Sequence, residues 1–100
     1  MLAFAPGNMA IALPTTKETA ITCGDQSDYV RLVNESSSVQ TVTTVDSNTE
    51  TPTEMGSIRL QPGEVMILWK RREFHKIYAS SAEVFGGGGM VRPAGLQQSG

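Results

Sequence analysis

From residue 15 to 85 the apolar residues recur with a period near two, and Val, Ile and Thr fill the runs between turn residues. Such alternation sends successive side chains to opposite faces of a strand, and branched side chains fit a pleated surface better than a helix. No segment carries a helix-length pattern. The sequence therefore predicts an all-β fold, a small antiparallel β-sandwich or barrel with extended N- and C-terminal arms. At 100 residues this is one domain, with residues 1–14 as the N-terminal arm, 15–85 as the sandwich and 86–100 as a Gly-rich hinge and C-terminal arm.

The strands are read as follows. Residues 19–23 make a first strand closed by Gly24-Asp25, and in 28–34 Val30 and Leu32 face one way while Tyr29, Arg31 and Val33 face the other. Glu35-Ser36-Ser37-Ser38 is turn chemistry, after which 39–45 resumes, so the two runs read as a hairpin. Residues 46–54 hold no large apolar side chain and read as a surface loop. Gln61-Pro62-Gly63-Glu64 suits a type II turn, with Pro at its second position and Gly at its third. It leads into Val65-Met66-Ile67-Leu68-Trp69, apolar on both faces and so expected between the sheet and an arm or at a contact with another subunit. Residues 74–79 give a further strand and 83–85 a short last one. The expected core is Val30, Leu32, Ile58, Leu60, Val65, Ile67, Leu68 and Ile77.

The two ends frame this domain. Residues 1–14 are apolar but lack a basic start, and Pro6-Gly7 breaks the run, so they read as an arm seeking its own sheet or another chain, not as a signal peptide. Gly86 to Gly89 carries the highest backbone entropy of any residue type, which suits a hinge or a place where another backbone passes closely.

Charge and chemistry narrow the function classes. The net charge of -2 is the wrong sign for a duplex nucleic-acid binder, and no run approaches the roughly 18 apolar residues of a membrane span. The charge is uneven: residues 1–50 hold two bases against six acids, and residues 51–100 hold six bases against four acids. That asymmetry suits head-to-tail contact between copies or a charged neighbour. A single cysteine and a single histidine form no disulfide within the chain and no Cys/His metal site, so neither metal nor cofactor is expected. Cys23 ends an apolar strand, where an inert thiol is usual, and His75 sits in the basic turn Lys70-Arg71-Arg72-Glu73-Phe74-His75-Lys76, so no catalytic pair is assigned. That turn favours protein contact through Arg over single-strand binding, because the repeated aromatics of a stacking platform are missing. The glycine run lacks the Lys-Ser or Lys-Thr of a phosphate loop, and Asn34-Glu35-Ser36 matches a glycosylation sequon without a leader to give it meaning.

The stretch Tyr29-Val30-Arg31-Leu32-Val33-Asn34-Glu35-Ser36-Ser37-Ser38-Val39-Gln40-Thr41-Val42-Thr43, with Leu60-Gln61-Pro62-Gly63-Glu64-Val65 and Ile77-Tyr78-Ala79-Ser80-Ser81-Ala82, resembles a recurrent small virion protein of tailed bacteriophages. The resemblance covers roughly residues 28–85, and the chain departs from it in the basic 70–72 break and the glycine-rich tail. It implies a non-enzymatic structural protein of the virion, made in the host cytoplasm, that decorates or cements the capsid by binding the major capsid protein. It also implies multiple copies or a homo-oligomer. A neck or tail component is the first alternative, and a small carbohydrate-binding β-domain with Trp69 and Tyr78 as stacking surfaces is the second. Partner contacts are expected at the arms, through Phe4, Met9, Ile11, Leu13, Met90, Val91 and Arg92, and at the basic turn, through Arg71 and Arg72.

Overall fold

A computed structural model describes residues 2–47, 51 and 53–93. Eight strands run β1 (Leu2–Pro6), β2 (Ile11–Ala12), β3 (Tyr29–Asn34), β4 (Gln40–Asp46), β5 (Thr53–Leu60), β6 (Val65–Trp69), β7 (His75–Ala79) and β8 (Val84–Pro93), with single 3-10 turns at Lys17–Thr19 and Arg72–Phe74. All pairings are antiparallel. One sheet has the order β1-β8-β3-β6, with β2 continuing β1 along the same edge of β8, and the other has the order β5-β4-β7. Ile21 exchanges both backbone bonds with Ile77 of β7, at 3.1 and 2.7 Å. The facing orders are thus β1-β8-β3-β6 and Ile21-β7-β4-β5, the strand order of a jelly roll whose second strand is reduced to one bridge.

The predicted β-sandwich stands, and so does the alternation in β3: Val30, Leu32 and Asn34 are buried while Arg31 is exposed. With Leu13, Cys23, Val42, Leu60, Ile77, Ala79 and Val84, the two valine and leucine positions of β3 form one core between the sheets, flanked by Ile21, Ile58, Met66 and Leu68. The type II turn is also as read: Gly63 has φ +79° and Glu64 N–H donates to Gln61 O at 3.0 Å.

Several expectations change. Residues 28–34 and 39–45 are no hairpin, because β3 and β4 lie in opposite sheets and the serine turn carries the chain between layers. Asn34 fixes that crossing. Its amide donates to Ser38 O and Leu60 O at 2.8 and 2.9 Å, and its Oδ1 accepts from Ser36 N–H and Ser36 O–H at 2.9 and 2.7 Å. Every polar site of this buried side chain is satisfied internally, so the sequon is structural. The expected first strand at 19–23 is only the Ile21 bridge. Part of the expected 46–54 loop is strand, Asp46 in β4 and Thr53 and Glu54 in β5, while 48–50 and 52 lie outside the described residues.

The largest correction concerns the ends. Of the two settings expected for residues 86–89, the close passage of another backbone holds and the hinge does not: they are the middle of β8, which pairs with β1 and β2 on one side and β3 on the other. The N-terminal arm is built into its own sheet as β1 and β2, one of the two places expected for it. Residues 94–100 lie outside the described part. Glycines serve here by close approach. A methyl group on Gly88 would overlap the Cys23 carbonyl oxygen and sit 2.6 Å from Ser27 Oγ, and one on Gly86 would sit 3.1 Å from both Leu13 and Leu32. Two-sided pairing compensates the entropy cost that had suited the run to a hinge.

Gly88→Ala is expected to lower stability by about 3 kcal/mol, because the obstructing atom is backbone that cannot rotate away. For a domain of this size the fall in Tm is then roughly 10–20 °C. Gly56→Ala, where the added methyl meets open space, is the control and should change Tm little. Equal melting of wild type and Gly88→Ala would show that residues 23–27 do not lie against β8.

Candidate functional site

The outward side of the five-stranded sheet is a continuous apolar face. Register sets its rows: Trp69, Tyr29, Gly89 and Pro6 lie level, then Ile67, Arg31 and Gly87, then Val65, Val33, Phe85 and Ala12, with Phe4 opposite Val91. On β6, Val65, Ile67 and Trp69 are 46, 40 and 57% exposed while Met66 and Leu68 turn inward. β6 is therefore an edge strand with a bare outer face, not one covered by an arm. Val65 and Ile67 leave the expected core, and Ile58 and Leu68 pack only against its margin.

Glycine shapes this face as well. Gly87 and Gly89 present no side chain outward, which admits the N-terminal segment: the backbone of Asn8 and Ala10 lies over Gly87, and the Phe4 ring and the Ala5–Pro6 backbone over Gly89. Two depressions flank that ring. One, of about 340 Å³, is lined by Phe4, Pro6, Asn8, Ala10, Arg31 and Gly87; the other, of about 310 Å³, by Ala3, Phe4, Tyr29, Ile67 and Val91. Arg31 is the one cation in these rows, placed level with Ile67 and Gly87. A large exposed apolar surface with one central charge is suited to burying a partner's apolar side chains around a single polar contact.

The expected contact residues divide. Phe4 and Val91 lie on this face, and Met9 and Ile11, 84 and 48% exposed, lie where β1 passes into β2. Leu13 does not belong with them: it is buried in the core, where its N–H donates to Val84 O at 2.9 Å. Met90 is exposed on β8, and Arg92 is opposite Ala3, its side chain outside the described part. Val65 and Ile67 were placed in the core, and Phe85 and Tyr29 were left out of the contact set, because apolar composition alone does not distinguish a buried face from a bare one.

The basic turn is not a row of free cations. Lys70 is fully buried and its Nζ donates to the carbonyls of Gly24, Ser27 and Arg72 at 3.1, 2.8 and 2.7 Å. Burial lowers its pKa from 10.5, opposed by the nearby Cys23, Asp25, Asp28 and Glu73. Arg72, at φ +41°, pairs with Asp28 at 3.2 Å, and Arg71 lies over the Phe74 ring at 5.2 Å. Both arginines remain exposed. His75 Nδ1 accepts the Arg71 N–H at 3.0 Å, and its ring meets Trp69 edge to face at 6.1 Å. Burial pushes the Cys23 thiol up to about 11, with Lys70 pulling weakly the other way, so at neutral pH it is the protonated thiol.

Trp69 and Tyr78, paired by the sequence as stacking surfaces, lie on the outer sides of opposite sheets, and Tyr78 O–H donates to the Glu54 carboxylate. Among the described residues no three His, Cys, Asp or Glu side chains gather where a metal ion could be held, and no helix is long and apolar enough to cross a membrane. The two sequence halves interleave, with β3 between β6 and β8, so their opposite charges do not form separate lobes. Comparison with protein-family models, with curated proteins and with solved structures finds no match to this chain.

The thiol gives a pH signature. Unfolded Cys23 ionises near pH 9 but the folded thiol holds its proton to about 11, so its contribution to stability is complete below pH 9 and lost through pH 11. Over that window wild type should lose on the order of 2–3 kcal/mol relative to Cys23→Ala in urea unfolding. Lys70 acts in the opposite sense and is coupled to Cys23, so the paired comparison reads the thiol together with that coupling. At pH 8 a thiol reagent should label Cys23 only on unfolding.

Proposed function

We propose that this chain is a non-enzymatic structural protein of a tailed-bacteriophage particle, a capsid decoration or cement subunit that binds the major capsid protein. The observation that carries the reading is the bare apolar face of Val65, Ile67 and Trp69 beside Tyr29, Phe4 and Val91, which leaves unburied the side chains a docking surface needs. The resemblance over residues 28–85 supplies the setting. The contact is made by the sheet face and not by loose arms, since β1, β2 and β8 are committed to the sheet. Many weak copies on one particle bind together through avidity. The stabilisation of the particle then comes from bridging neighbouring capsid subunits.

Quantitative mass spectrometry of purified virions, referenced to the major capsid protein, tests this. A ratio of one per capsid subunit, or one per few, is expected, and Trp69→Ser should reduce incorporation at least about tenfold if Trp69 is an interface anchor. A small fixed copy number moves the chain to the neck or tail. Absence from the particle removes the reading. A second reading, a sugar-binding face, rests on the exposure of Trp69 next to Tyr29, and Trp69 fluorescence unchanged across a glycan panel would remove it.

A further inference from the structure

The four sheet edges are not equally guarded. β1 and β2 are interrupted by Gly7 to Ala10, with Pro6 at the break, and β7 is bridged by Ile21. β5 carries Glu54 and Arg59, and its register shifts opposite Thr44/Val45, leaving Met55 as an extra residue. Charges, proline and bulges of this kind prevent edge-to-edge pairing. β6 has none of them between Val65 and Trp69.

The backbone of β6 shows what that edge offers. Lys70 N–H donates to Asp28 O at 2.8 Å and Asn34 N–H to Glu64 O at 3.1 Å, so the even residues 64, 66, 68 and 70 bond to β3. The N–H and C=O groups of Val65, Ile67 and Trp69 therefore point away from the sheet. They belong to the same three residues whose side chains are exposed.

We propose that β6 pairs with β6 of a second copy of this chain, antiparallel about a two-fold axis at Ile67, joining two five-stranded sheets into one. In that register Ile67 faces Ile67 and Val65 faces Trp69. Each copy offers three N–H and three C=O groups, so the pair closes six hydrogen bonds with no edge group left over; a shift of two residues leaves groups unmatched at both ends. Charge selects the same partner. Glu64 precedes the strand and Lys70, Arg71 and Arg72 follow it, so the antiparallel copy brings Glu64 level with position 70 and beside the exposed Arg71 at both ends. A parallel copy would set Glu64 against Glu64. The contact uses the edge and leaves the outer sheet face open, so it is independent of the partner which that face serves.

The full chain is examined by light scattering after size exclusion and by amide hydrogen exchange. A species of twice the 10.7 kDa chain mass is expected, with slowed exchange at Val65, Ile67 and Trp69. Ile67→Lys should return the monomer with its circular dichroism intact. Ile67→Cys should form an intermolecular disulfide under oxidation, whereas Val65→Cys, which faces Trp69 of the other copy, should not. A monomer at every concentration overturns the proposal, as does a dimer in which those three amides exchange freely or Val65→Cys cross-links as well as Ile67→Cys. Protection of these amides only on adding another virion protein overturns the second copy as the occupant.

Discussion

The structure depends on how closely other backbone can approach β8. This strand holds β1 and β2 on one edge and β3 on the other, and the segment around Cys23 and Ser27 lies directly against it at Gly88. That segment is held in turn by the Lys70 ammonium, whose three carbonyl partners at Gly24, Ser27 and Arg72 tie the entry to β3 to the exit from β6. A buried cation is costly to desolvate, and three carbonyl bonds are what make its burial tolerable. Glycine run and lysine are one device: the first makes room for a loop and the second keeps the loop there.

The same glycines separate stability from recognition. On the inner side, Gly86 and Gly88 let Leu13, Leu32 and the loop pack tightly, whereas on the outer side Gly87 and Gly89 let residues 5–10 and the Phe4 ring lie close, with depressions on either side of that ring. The residues that hold the fold, such as Asn34, Leu60 and Ile77, are buried between the sheets. The exposed residues of β6, such as Ile67 and Trp69, contribute little to that core. A surface so arranged can change its specificity without loss of the sandwich.

Fold class, the alternation in β3 and the type II turn at Gly63 were legible because each is written in local chemistry. Period two and a Pro-Gly pair act over a few residues, and nothing distant overrides them. What was not legible depends on partners far along the chain. Composition marked Val65 to Trp69 as buried, but edge or centre is decided by which strands flank β6. Glycines 86–89 left hinge and close backbone passage both open because their cost is local and its compensation, pairing on both sides, is not. Lys70 read as a solvated base since nothing near it announces the three carbonyls that collect it. The candidate face was half visible for the same reason: Phe4, Val91 and the exposed arm residues were named for their apolar character, but Leu13 was included and Tyr29 omitted, because facing is set by register.

The pairing of Leu2 with Pro93 has a consequence for the order in which this protein acquires its structure. The first strand and the last are hydrogen-bonded neighbours, and β3 also awaits β8 for one of its two edges. A chain emerging from the ribosome can close the β4 and β5 ladder early, but its larger sheet has no centre until residues 84–93 are available. Topologies with partners this far apart fold slowly because a long loop must close before any contact rewards it. During that interval β1 and one side of β3 are unpaired edges, and the arrival of β8 closes both, whereas the outer edge of β6 stays open in the finished sheet.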